Sequence, residues 1–148
     1  MIEKKDVITM RIPFPKVDSK LARVAHMYIC LENKYPKKFL KCQTETPRRV
    51  RPNSPPYRYI KAMPDIHHNP FINPTLVDCD KSFVMDYDIS INKKSLTLRR
   101  RDISEELFCK LEKKIRHDDF EEIVLDANIV ALLNDDIKLV KRKTQRAR

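Results

Sequence analysis

The chain of 148 residues contains no glycine and no tryptophan, and the missing glycine excludes whole classes of site. Glycine lets backbone approach phosphate closely and turn through positive φ without steric cost. A P-loop and a Rossmann fingerprint both depend on it, so neither is present in its usual form. Positions that need positive φ then fall to Asn or Asp, with Asn33, Asn92 and Asn134 as candidates. Long apolar runs are also missing: no window holds the ~18 uncharged residues of a membrane span. The opening "MIEKKDV" lacks a signal-peptide pattern, so a soluble, cytoplasmic protein is expected. Cysteine is sparse. Cys30, Cys42, Cys79 and Cys109 form no C-x-x-C pair, which argues against a zinc site and for buried, reduced thiols. No metal and no cofactor is expected.

Proline is confined rather than absent. All ten prolines lie between Pro13 and Pro74, so that region should hold strands joined by long loops. The charge is uneven too. Of the net charge of +10, the segment 138–148 carries six basic residues and no acid, which marks a basic tail. Such a tail either touches a polyanion or is a solvated end.

What is present reads first as strands. Residues 6–12, "DVITMRI", alternate with Ile8, Met10 and Ile12 on one side. Residues 23–32, "RVAHMYICLE", read as a second strand with Arg23, Ala25, Met27, Ile29 and Leu31 on one face. His26 and Tyr28 then point the other way. "KFLKCQT" is a third strand, with Leu40, Cys42 and Thr44 on one side. Residues 45–73 form a long proline-rich loop, a length that suggests a role of its own. "TLVDC", "SFVMDY" and "SLTLR" read as three further short strands.

Helical periodicity follows. Asp102 and Glu105 have capping-box spacing ahead of an apolar stripe of Ile103, Leu107, Phe108, Leu111 and Ile115. Asp118 and Glu121 repeat the spacing ahead of a second helix with its apolar body over 123–133. The expected fold is α+β, a small curved antiparallel sheet or SH3-like β-barrel with C-terminal helices. Residues 1–115 make the domain, 116–137 add a helix packed on it, and 138–148 form the tail.

Arg23 and Thr44 each end a run of same-face apolar residues, so pairing of their strands can bring both to the mouth of the sheet. A guanidinium fork and a hydroxyl suit phosphate oxygens and the charge that develops when a phosphodiester is attacked. An ion-paired Arg and a strand-end Thr are the bland alternative. Asp78 and Asp80 share one side of an extended strand and offer a general base or a group to orient Arg23. His67 and His68 are alternative bases in the loop. Within the loop, Arg48, Arg49, Arg51, Arg58 and Lys61 accompany Tyr57 and Tyr59. Cations for phosphates beside rings for unpaired bases form an RNA-binding composition. Arg99, Arg100 and Arg101 form a second basic cluster.

These motifs together resemble the MazF/PemK/Kid family of toxin endoribonucleases over residues 4–115. "KKDVITMRIPFP" is similar to its opening strand, and "KLARVAHMYICLE" to the strand that begins with its Arg-Pro signature, with Val24 in the proline's place. "KFLKCQT" resembles the strand ending at the family's threonine, and "TLVDCDKSFVMD" its Cys-Asp segment, with Asp78 where some members have arginine. "LRRRDISEELFCKLEKKI" resembles its last strand and helix. The resemblance implies a homodimeric, metal-independent ribonuclease that cuts single-stranded RNA through attack of a 2′-hydroxyl on the adjacent phosphate. It implies Arg23 as acid–base and phosphate-stabilising group, Thr44 as phosphate donor, Asp80 as the carboxylate, and an antitoxin as protein partner. A non-catalytic nucleic-acid-binding or regulatory protein on the same fold is the alternative.

Overall fold

The computed structural model describes residues 1–46 and 54–141. It is an α+β fold built on a mostly antiparallel seven-stranded sheet. The strands are β1 (Val7–Met10), β2 (His26–Glu32), β3 (Lys38–Thr44), β4 (Tyr59–Ala62), β5 (Thr75–Asp78), β6 (Lys81–Met85) and β8 (Glu121–Leu125). Two further strands, β7 (Ile89–Ile91) and β9 (Ile137–Leu139), pair antiparallel as a separate ribbon. The helices are α1 (Lys20–Arg23), α2 (Glu105–Lys114) and α3 (Ala127–Leu133).

Strand β3 organises the sheet. One of its edges pairs with β2; the other is shared, its start meeting β6 and its end meeting β5. Strand β4 extends the β5 side, and β8 joins β6 in parallel. Because side chains alternate across a strand, this sheet buries two separate apolar faces. One face gathers Ile8, Met10, Tyr28, Cys30, Phe39, Phe83 and Met85 under Ala127 and Val130 of α3 and the ribbon. The other gathers Val7, Ile29, Leu40, Cys42 and Val77 under Leu107, Phe108 and Leu111 of α2. Strands buried on both faces explain why the apolar alternation of β2 and β3 is incomplete.

Several expectations are corrected. Arg23 does not open a strand: "KLAR" is a short helix, and the Val24 amide donates to the Lys20 carbonyl at 3.0 Å. Its residues are good helix formers, and buried Ala22 anchors it. "SLTLR" is a 3₁₀ turn at Lys93–Ser95 followed by a single bridge from Leu96 to Ile8. The long loop contains β4. Residues 116–137 are not one helix: Ile123 and Val124 are β-branched and enter β8, so the helix begins only at Ala127, capped by Asp126. Helix α2 is capped by Ser104, whose Oγ accepts from the Leu107 amide at 3.2 Å, while Asp102 accepts from Arg100. Residues 138–139 of the expected tail lie in β9, and 142–148 fall outside the described residues.

The missing glycines are handled by avoidance. Among the described residues only Lys5 has positive φ, at 79°. Asn92 and Asn134 have φ of −68° and −134° and work through their side chains instead. Asn134 Oδ1 accepts from the Arg11 amide at 2.8 Å while its Nδ2 donates to the Arg11 carbonyl at 2.7 Å, the exchange a strand neighbour would make. No helix among the described residues is long and apolar enough to cross a membrane.

The thiols sort by burial. Cys30, Cys42 and Cys79 are buried and Cys109 is exposed on α2. Burial pushes the Cys30 and Cys79 thiols up to about 12, and raises Cys42 as well. Since the thiolate is the reactive form, a disulfide reagent should titrate a single thiol in the native protein and all four in denaturant. Cys109→Ser should abolish the native reaction; labelling of a second native thiol would contradict this packing.

Candidate nucleic-acid interface

The strand register aligns residues on the α2 side of the sheet into rows. Val7, Ile29 and Leu40 form one row, with Thr9, Met27, Cys42 and Val77 forming the next. Thr44 and Thr75 then pair beyond them. Helix α2 packs on the first row and on Cys42 and Val77. Past its cover the aliphatic residues give way to threonines, and the sheet opens into a groove.

Thr9, Met27, Thr44 and Thr75 come from β1, β2, β3 and β5 and face a cavity of about 540 Å³. Pro70, Ile72, Leu98, Lys94 and Arg99 complete much of its wall. A second cavity of about 270 Å³ shares Thr9, Met27 and Thr44 and continues past Ala25 to Thr46. No carboxylate lines either cavity among the described residues, in a chain with 21 acidic residues. The buried Thr75 hydroxyl donates to the Asn73 carbonyl at 2.9 Å, so it is the two cations and the lack of an acid among the described residues that make this end of the sheet favourable for an anion.

The cations are held by local structure. Lys94 sits in the 3₁₀ turn, where the Asn92 Oδ1 accepts from its amide at 2.9 Å. Arg99 follows a turn fixed at Thr97, whose amide donates to the Val7 carbonyl at 3.0 Å. Its neighbours are already used. Arg101 donates from Nε and Nη2 to buried Asp6 at 2.9 and 2.6 Å, a bond that holds its guanidinium more firmly protonated. Arg100 pairs with Asp102 at 2.9 Å. Among the described residues neither Arg99 nor Lys94 has an ion-pair partner, so of the arginine triplet Arg99 is the one left for a ligand.

Of the residues read from sequence, Thr44 lies in this groove and Arg23 and Asp80 do not line it. Arg23 is exposed on α1. Asp80 lies past the far end of β5, five residues from Thr75, the partner of Thr44, or about 17 Å along the strand. Both Asp80 oxygens are occupied: Oδ2 accepts from the Tyr57 amide at 2.6 Å and Oδ1 from the Arg58 amide at 2.8 Å. It clamps the end of the basic loop to the sheet. Asp78 is buried, turned to the face opposite Val77, and paired with Lys81 at 3.0 Å. It faces away from the groove.

The basic loop is partly neutralised. Arg58 pairs with Asp119 at 3.2 Å and Lys61 with Glu45 at 3.0 Å. Tyr57 and Tyr59 are exposed near the β4 edge, and alternation puts Tyr59 and Lys61 on the face away from Thr44. Arg48, Arg49 and Arg51 lie outside the described residues. The histidines serve the frame: His68 Nδ1 meets Ser104 Oγ at 2.9 Å and His26 Nδ1 meets the Val24 carbonyl at 2.9 Å. His26 touches the smaller cavity, but strand alternation turns its ring to the other face.

Thr9, Thr75 and Lys94 were not singled out by sequence reasoning. Lys94 is one of many lysines, and only pairing of distant strands makes the threonines neighbours. No family model, curated protein or solved structure matches the chain.

Proposed function

We propose that the chain is a nucleic-acid-binding protein that takes single-stranded RNA along this groove, on a small curved sheet of the Kid/MazF kind. The carrying observation is that Lys94 and Arg99 stand with Thr9 and Thr44 around a cavity that no carboxylate lines among the described residues. Hydroxyls and unpaired cations bind phosphate oxygens, and a hydroxyl can also exchange hydrogen bonds with a 2′-hydroxyl. The apolar wall of Met27, Pro70, Ile72 and Leu98 suits an unpaired base, which a duplex would keep hidden. Binding is preferred to cleavage because the groove offers charge but, on the Thr44 face and among the described residues, no histidine or carboxylate to act as base.

Cleavage is the second reading, favoured by one observation: Thr44, the phosphate donor that the resemblance implies, does line the groove. The homodimer and the antitoxin belong to that reading. One experiment separates the two. A labelled single-stranded oligoribonucleotide is titrated with protein in EDTA across a salt series, and the RNA is then run on a denaturing gel. Intact RNA with affinity falling by about 0.7 log units per log unit of salt for each phosphate held supports the binding protein. Discrete fragments with 5′-hydroxyl ends, lost in Thr44→Ala, support the ribonuclease instead, and absence of binding defeats both.

A further inference from the structure

Leu98 is 99 % exposed, yet the residues on either side of it are tied to the fold. Just before it, Leu96 bridges to Ile8 and the Thr97 amide donates to the Val7 carbonyl at 3.0 Å. Thr97 Oγ1 reaches over the turn to the Arg100 carbonyl at 2.6 Å. Behind it, Arg100 donates to Asp102 at 2.9 Å and to the Ile66 carbonyl at 3.0 Å, and Arg101 grips Asp6. The leucine is therefore held out on a braced turn and covers nothing of its own chain.

A single exposed leucine needs no explanation by itself. Its surroundings distinguish this one. Leu98 stands on the rim of the larger cavity beside Arg99, with Lys94 on the same wall and Ile72, 68 % exposed, also lining it. An apolar side chain on a braced turn, next to a cation with no ion-pair partner among the described residues, is the combination with which proteins open base steps: the wedge enters between two bases while the cation holds the neighbouring phosphate. Flexibility would defeat such a device, because ordering the turn on binding would cost what the contact returns.

We propose that Leu98 is a wedge that inserts between adjacent bases of the bound strand and unstacks them, with Arg99 holding the phosphate of the opened step. This rests on the RNA-binding reading above and adds to it the residue that separates the bases.

The test uses the full chain and a single-stranded RNA carrying 2-aminopurine at an internal position, whose fluorescence is quenched by stacking. Binding is followed in parallel by anisotropy of an end label, with the 2-aminopurine moved along the strand in separate oligonucleotides. Fluorescence should rise on saturation for at least one position. Leu98→Ala should bind about tenfold more weakly and lose that rise even at saturation. Leu98→Met should keep it, and Arg99→Ala should weaken binding while retaining the rise at saturation. A normal rise in Leu98→Ala, or wild-type binding with no rise at any position, overturns the wedge and leaves RNA binding standing. No anisotropy change with wild-type protein overturns both. Because Leu98 packs on nothing, equal thermal unfolding of Leu98→Ala and wild type will show that the loss is not one of folding.

Discussion

Replacing both groove cations, Lys94→Ala with Arg99→Ala, should weaken single-stranded RNA binding by at least about 100-fold, from roughly 1.5–3 kcal/mol for each charge-assisted hydrogen bond lost. The salt dependence provides the sharper reading. Each phosphate released by the protein removes ~0.7 from the slope of log affinity against log salt, so the double variant should lose about 1.4. A comparable loss of charge elsewhere should do little. Lys20 and Arg23 on α1 are equally basic and exposed, but they do not line the groove, so Lys20→Ala with Arg23→Ala should keep most of the affinity and most of the slope. Equal effects of the two pairs would mean that RNA senses only net charge. Retention of the full slope by the groove pair would remove the proposed site.

Phe83→Ala should cost about 3–5 kcal/mol, a large part of the roughly 5–15 kcal/mol that holds a domain of this size together. Phe83 is fully buried in β6, where it pairs with Phe39 of β3 on one side and with Ile123 of β8 on the other. Its ring meets Phe14 at 5.1 Å and Tyr28 at 6.1 Å, both edge-on. Truncation opens a cavity where the first half of the chain is joined to the last. The adjacent Tyr28 hydroxyl, buried and already without a hydrogen-bond partner among the described residues, gains nothing in return. The denaturant midpoint should fall sharply, while Leu132→Ala, at a side chain 84 % exposed on α3, should stay within about 0.5 kcal/mol of wild type. RNA affinity per folded molecule should survive Phe83→Ala, because the groove is on the opposite face of the sheet. A joint loss of both would indicate that the two faces are coupled.

Local pattern was a good guide wherever one strand or one helix decided the outcome. The alternation in 6–12 and 38–44, the run "TLVD" and the stripe from Ile103 to Leu111 all place residues that the structure buries. Pattern was a poor guide where two elements compete for one segment. "EEIVL" carries a helical cap signal ahead of it, but pairing with β6 offers its β-branched residues a ladder, and the strand results. "KLAR" continues an apolar run toward β2, but its own helix propensity and the buried Ala22 turn it into α1.

The candidate site divides along the same line. Sequence by itself determined that no glycine-dependent phosphate loop is present, that cations are in excess, and that Thr44 ends a strand on the Cys42 side. Tertiary structure decided which cations remain for a ligand and which threonines are neighbours. Arg100 and Arg101 are consumed by Asp102 and Asp6, the latter 95 residues away, while Arg99 beside them is not. Thr9, Thr44 and Thr75 share a groove because antiparallel register sets them on one face. Charge neutralisation and strand register both act between residues far apart in the chain, so neither is written in any local stretch of it.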